Sequence, residues 1–221
     1  MDPVLDALLK SQPALWLGGD RYHDEAAFPT GFASLDNALP GRGWCAGGVT
    51  ELLASEHGIG ELSLLLPALS RITRTQGQWA AFINPPFLPY APALSNAGIR
   101  LDRLLIVDSK NDNDTLWASE QLLRTGLFTS VVAWVQRSSA QKQRRLQLAA
   151  EAGKSWATVY RPQHAAREHS PVSARLQLNI VATQLQVTLI KIRGGREQSV
   201  IIDPAEFDAS QGVEWPVPEL R

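Results

Sequence analysis

The sequence predicts a three-layer α/β domain with a mainly parallel central sheet and a C-terminal antiparallel extension. Three observations carry this expectation. Between Val49 and Tyr160, short apolar runs of strand character alternate with segments of helical period. The run Ser130 to Val135 is almost continuously apolar, as a strand covered on both faces must be. Beyond Pro171 the period falls to two, with Leu176, Leu178 and Ile180 alternating with polar residues, and that marks antiparallel strands.

Taken in order, Val4, Leu5, Leu8 and Leu9 follow helical spacing behind Asp2-Pro3. An extended arm from Ser11 to Thr30 follows, around Trp16 and Tyr22. Val49 to Leu53 reads as a strand after Gly47-Gly48, and a bend at Gly58-Ile59-Gly60 leads into a helix from Leu62 to Arg74. Pro67 falls within its first two turns, where proline is tolerated. Trp79 to Ile83 is the next strand, followed by a proline-rich loop, a short helix from Ala93 to Ala97 and the strand Leu104 to Val107. Asn113 or Asp114 caps a helix from Thr115 to Thr125. Ser138 or Ser139 caps another through Ala152, with Gly153 as its stop. Trp156 to Tyr160 is a strand, Arg161 to Pro171 a polar, mobile loop, and Val187 to Ile192 and Ser199 to Ile202 complete the antiparallel part. The expected organisation is an arm over 1–29, a core over 30–203 and a tail over 204–221.

The chain has 221 residues, 44% of them hydrophobic and 19% charged, and this suffices for a full core. A single cysteine, Cys45, excludes an internal disulfide framework and multi-thiolate metal sites. The first residues lack a basic flank and long apolar run, and no window approaches a membrane span, so the expectation is a soluble cytoplasmic protein. The formal net charge of −1 argues against a surface wholly given to nucleic acid. His57, His164 and His169 stand without cysteine or acidic partners at ligand spacing, so no metal is expected.

The bend after Val49 to Leu53 stands where a phosphate-binding loop would lie. Such a loop needs glycines for close backbone approach, a lysine for the phosphate charge and a serine or threonine for Mg²⁺. Here Ser55 replaces the first glycine, Gly58 and Gly60 remain, Glu61 replaces the lysine and Leu62 the hydroxyl. Exchanging a cation for an anion changes the local charge by two units, each worth about 1 to 4 kcal/mol against a nearby phosphate. The loop reads as a relic in which Glu56 and Glu61 sit favourably at a helix N-terminus.

At these residues the chain resembles the RecA family. Thr30 to Leu39 is similar to the opening of its core, and Gly48-Val49-Thr50-Glu51 to the strand entering its phosphate loop. The resemblance implies a RecA-like core over Thr30 to Arg193 from which the catalytic parts are missing. Asn84-Pro85-Pro86 stands where active members carry a glutamate. Val135 and Gln136 stand where they carry the Mg²⁺-binding aspartate. The expectation is therefore a non-enzyme with no cofactor, against the alternative of a divergent ATPase. Leu122 to Gly126, Ser130 to Trp134, Arg144 to Glu151 and Tyr160-Arg161-Pro162 resemble two non-ATPase groups within this superfamily. These are ImuA, the translesion-synthesis accessory proteins, and SulA, the division inhibitors that bind FtsZ. The extra length through Val187 to Ile202 and Trp215 favours ImuA. That resemblance implies an SOS-induced role in translesion synthesis, mutagenesis and repair. The implied partners are RecA, an ImuB-type Y-family polymerase-like protein and an error-prone replicative-type polymerase; the SulA-like, FtsZ-binding role is the alternative.

Candidate contact residues follow from charge and exposure. Lys142, Arg144, Arg145, Arg161 and Arg167 belong to a stretch with one acid, Glu151, and form either a face for DNA or an acidic partner or a plain solvated surface. Leu5, Leu8, Leu9 and Trp16 form an apolar stripe that docks on a partner or packs on the body. Trp215 marks a tail able to lie in a partner's groove.

Overall fold

The structure is a computed structural model, and it describes residues 27–75, 77–193 and 195–202. The expectations for Leu5, Leu8, Leu9, Trp16 and Trp215, with the N-terminal helix and the tail, lie outside the described residues.

Two short strands, β1 (Ala27–Phe28) and β2 (Trp44–Cys45), pair antiparallel around α1 (Ala33–Ala38). The remaining strands are β3 (Val49–Ala54), β4 (Trp79–Ile83), β5 (Leu104–Val107), β6 (Phe128–Trp134), β7 (Trp156–Pro162), β8 (Ala174–Val181), β9 (Gln184–Ile192) and β10 (Gln198–Ile202). They form one sheet in the order β10-β9-β8-β3-β7-β6-β4-β5. The ladders from β8 to β5 are parallel, and those joining β8 to β9 and β9 to β10 are antiparallel. The sheet is thus mixed. The reversal has a local cause: β8 and β9 are joined by Ala182-Thr183, both at positive φ (46° and 72°). A two-residue turn of that kind makes a hairpin and leaves no room for a crossover helix.

Helices cover both faces. α2 (Leu66–Arg74) and α1 close one core with Leu52, Phe82, Val132, Trp156, Leu176 and Val187. α4 (Asp112–Arg124) and α5 (Ala140–Gly153) close the other with Val49, Ile83, Val131, Ala133, Ala157 and Val159. The alternation along each strand puts neighbouring residues into opposite cores. α3 (Ala91–Asn96) follows β4.

Among the boundaries that differ from the sequence expectation, three have a local physical reason. α2 begins at Leu66, not Leu62, because Pro67 has no N–H to give to residue 63. The residues before it form successive turns, with Leu64 N–H donating to Gly60 O and Leu65 N–H to Leu62 O. α4 starts at Asp112 because Asn111 is its cap, its side-chain oxygen accepting from Asn113 and Asp114 N–H at 3.0 and 3.1 Å. α3 starts two residues early, with Pro92 in its first turn.

Candidate functional site

The loops at the C-terminal ends of β3, β4, β6 and β7 stand on one edge of the sheet. After β3 the loop Ser55 to Leu62 is closed on itself. Gly58 and Gly60 take positive φ (87° and 93°), a conformation glycine adopts without strain. Gly58 N–H donates to both carboxylate oxygens of Glu61, at 2.9 and 3.0 Å. Glu61 is 7% exposed, and its carbonyl accepts from the Tyr160 hydroxyl at 2.5 Å. Burial pushes the Tyr160 phenol well above its ordinary pKa, and the neighbouring Glu61 charge adds to this. Glu61 therefore does not stand at the N-terminus of α2, which begins at Leu66; it serves as the loop's own internal anion. Leu62 packs against the apolar core, while Ser55 and Gly58 are exposed.

The strand ends that lack catalytic carboxylates are occupied otherwise. The Asp112 carboxylate accepts from Gln136 and Arg137 N–H at 3.0 and 2.9 Å, tying α4 to the end of β6. Asn84, at φ 54°, donates its N–H to Val107 O and turns the chain out of β4. The loop it starts is apolar and exposed: Phe87, Leu88 and Tyr90 are 76%, 82% and 72% accessible. From Asn84 to Ile99 no residue is charged, and Pro85, Pro86, Pro89 and Pro92 stiffen the segment. Sequence reasoning passed over this surface, although the uncharged, proline-braced run was its signal.

Beneath β7, β3 and β8 lies a buried ionic cluster, also unforeseen. Glu51, fully buried, lies opposite Arg175 in the β3–β8 register. Its carboxylate accepts from Arg175 Nε at 2.6 Å, Arg161 Nη1 at 3.1 Å and Gln143 Nε2 at 2.7 Å. Arg161 also pairs with Glu168 at 2.7 Å. That hydrogen bond first, and the guanidinium charge next among the favourable influences, holds the Glu168 carboxyl below the ordinary glutamate range. Arg175 donates further to the carbonyls of Ala165, Ala166 and Glu168, and Lys191 donates to Ser170 O. Burial, reinforced by Arg175, lowers the Lys191 pKa. The segment expected to be a mobile loop is thus a 3-10 turn, Gln163–Arg167, held by buried cations.

These contacts also redistribute the proposed basic face. Arg161 is removed from it: the residue is 3% exposed and its charge is spent on Glu51 and Glu168. Arg145 pairs with Glu120 at 2.8 Å, and Lys142 donates to Asn113. Arg144 and Arg167 are exposed, on α5 and on the 3-10 turn respectively. Among the described residues no group of histidine, cysteine, aspartate and glutamate is arranged to hold a metal, and no helix is long and apolar enough to cross a membrane.

The fold and this edge define a mixed-sheet α/β domain presenting a self-closed loop beside an uncharged apolar one. The family profile described as "Cell division inhibitor SulA" matches residues 47–157; the chain belongs to that family. SulA of Edwardsiella piscicida is 33% identical over 102 residues, which cover 46% of this chain and 61% of that protein. SulA of Serratia proteamaculans is 29% identical over 124 residues, covering 56% and 71%. The crystal structure of SulA from Pseudomonas aeruginosa is 28% identical, with a TM-score of 0.44, and the match covers 51% of this chain and 97% of that one. The chain thus spans 61% of the length of the first of these relatives.

The family match corrects several expectations. The ImuA assignment and the RecA-like description of the fold give way to SulA. The translesion, mutagenesis and repair roles fall with them, as do RecA, the ImuB-type protein and the error-prone polymerase as partners. Chain length does not separate the two groups: the match is carried by residues 47–157, and Val187 to Ile202 only supply most of β9 and the edge strand β10.

Proposed function

We propose that this protein is an SOS-induced inhibitor of cell division that acts in the cytoplasm by binding FtsZ, without catalysis of its own. The observation that carries the reading is the family match across residues 47–157, a segment that contains the self-closed loop and the apolar run Asn84 to Ile99. The exposed Phe87, Leu88 and Tyr90 are the surface we place against the partner, since a contiguous exposed apolar patch marks an interaction site. The non-catalytic reading rests on Glu61, whose carboxylate occupies the backbone donor of the loop in place of a phosphate.

The test adds the purified full chain to purified FtsZ and follows GTP hydrolysis and polymer sedimentation. Both are expected to fall as the protein approaches equimolar amounts, and expression in cells is expected to give filaments without septa. Undisturbed FtsZ polymerisation at a several-fold molar excess would refute the reading. Hydrolysis of ATP by the purified chain above background would refute its non-catalytic part.

A further inference from the structure

Charge is unevenly placed along the chain. The formal net charge is −1, yet residues 27–202 carry 18 cationic side chains against 12 anionic ones, whereas residues 1–26 carry 2 against 5. Part of the excess gathers where the parallel strands begin, at the opposite end from Phe87, Leu88 and Tyr90. Arg71 and Arg74 stand in the last turn of α2, just ahead of β4. Arg100 and Arg103 stand on either side of Leu101 and Asp102 at the entry to β5. The two pairs are tied together: Arg74 Nε donates to Gly98 O at 2.9 Å, and Arg100 N–H to the Thr73 hydroxyl at 3.2 Å. Between Leu69 and Ala80 there is no acid, and between Ala97 and Val107 only Asp102, which pairs with Arg100 at 2.7 Å. The carbonyl end of α2 favours Arg71 and Arg74, but Arg100 and Arg103 lie outside any α-helix, so helix dipoles do not account for the group. Leu101, within the group, is 41% exposed.

The described residues also begin at this end. Ala27 opens β1 and lines one cavity with Lys154, the residue after α5, and the Phe28 ring stands 6.4 Å from that of Trp156, the first residue of β7. Three strand spacings, roughly 15 Å, separate β7 from β5. Residues 10–26 can span roughly 50 Å when extended, so the residues before them reach the arginines with slack. The helical spacing of those residues puts Asp2 and Asp6 on one side with Leu5 and Leu9, a face at once acidic and apolar.

We propose that residues 1–26 dock on this basic end of their own chain. Asp2 and Asp6 meet the arginines of α2 and of the β5 entry, and Leu5 and Leu9 cover Leu101. The docked segment leaves Phe87, Leu88 and Tyr90 open at the other end of the strands and does not rest on the FtsZ reading.

The test is amide hydrogen exchange of the full chain, read by mass spectrometry. Val4 to Leu9 are expected to exchange about tenfold more slowly in the unaltered chain than in Arg71→Glu/Arg100→Glu, where two surface ion pairs become repulsions, with β6 protected equally in both. Adding Asp2→Arg/Asp6→Arg to that variant restores opposite charges and is expected to recover the protection. In the unaltered chain, which needs no variant to fold, the protection is expected to fall between about 0.05 and 0.5 M salt and to be insensitive to dilution. Fast exchange of Val4 to Leu9 in the unaltered chain, protection that survives high salt or the arginine changes, failure of the charge swap to restore it in a folded variant, or protection lost on dilution, as docking on a second copy would give, would each overturn the proposal.

Discussion

Glu51→Gln is the sharpest test of how the β7–β3–β8 region is held. Glu51 is fully buried and supplies the one carboxylate between Arg161 and Arg175, whose side chains are 0% and 6% exposed. A glutamine keeps the shape, but it removes the charge and turns an amide NH2 towards groups that are themselves donors. Breaking a buried pair from one side costs about 3 to 5 kcal/mol, because the remaining charge stays buried without compensation. Arg161 keeps Glu168, which is 46% exposed, so the lower end of that range is expected. A loss of about 3 kcal/mol in a domain of this size lowers Tm by roughly 6 to 12 °C. Calorimetry gives Tm, and urea unfolding gives the free energy independently. Arg175→Met in the Glu51→Gln background removes one of the stranded charges and should recover part of the loss, giving a coupling above about 1 kcal/mol in the double-mutant cycle. A Glu51→Gln loss below about 1 kcal/mol would show that the guanidiniums are effectively solvated and that the cluster does not act as described.

Three further outcomes are expected. Glu61→Ala deprives Gly58 N–H of its acceptor and should cost about 1 to 2 kcal/mol, with amide exchange at Gly58 accelerated; unchanged exchange would contradict the internal-anion description. Glu168 has a depressed pKa in the folded state, so its contribution to stability is complete above the ordinary glutamate range and is lost as pH falls through the lower folded value. Urea titrations between about pH 6 and pH 3 should therefore show a smaller acid-induced loss in Glu168→Gln, where a parallel decline would deny the linkage. Replacing Phe87, Leu88 and Tyr90 together by serine should leave Tm unchanged within a few degrees, because all three are exposed. The same variant should weaken FtsZ inhibition by about tenfold to a hundredfold, as expected for loss of aromatic interface anchors, and full inhibition would remove this loop from the interface.

Strands that carry their own burial pattern were legible in the sequence. Trp79 to Ile83 and Leu104 to Val107 stand as read, because continuous apolar runs bounded by turn residues leave little choice of state. Helix starts were less legible, since capping is decided by one side chain among several competitors: Asn111 prevailed over Asn113 and Asp114 through its reach to both following N–H groups. That a glutamate stands at position 61 is plain in the sequence, but not that its carboxylate turns back to Gly58. The ionic cluster was hidden for a different reason. Glu51 and Arg175 are 124 positions apart, and only the parallel pairing of β3 with β8 makes them neighbours. Arg161 looked like a surface cation because composition counts charges without saying which face of a strand they occupy. The family is not legible in these motifs because two groups share them, and chain length says nothing about which residues meet a partner.

The two exposed loops are fixed relative to each other by what lies between them. Tyr160 on β7 donates to the Glu61 carbonyl and stacks on Trp134 of β6 at 5.1 Å; Trp134 in turn meets Phe82 of β4 edge-on at 5.6 Å. Phe82 lies one residue before Ile83, at the end of the strand from which the Asn84 to Tyr90 loop departs. A row of buried aromatic rings therefore spans the strands separating the Glu61 loop from the apolar loop, and close-packed interiors transmit displacement poorly absorbed elsewhere. A surface held in this way loses little conformational freedom when a partner covers it, so more of its apolar contact appears as affinity. The glutamate that closes the loop after β3 and the prolines that stiffen Asn84 to Pro92 act to the same end: both hold this end of the sheet in one shape.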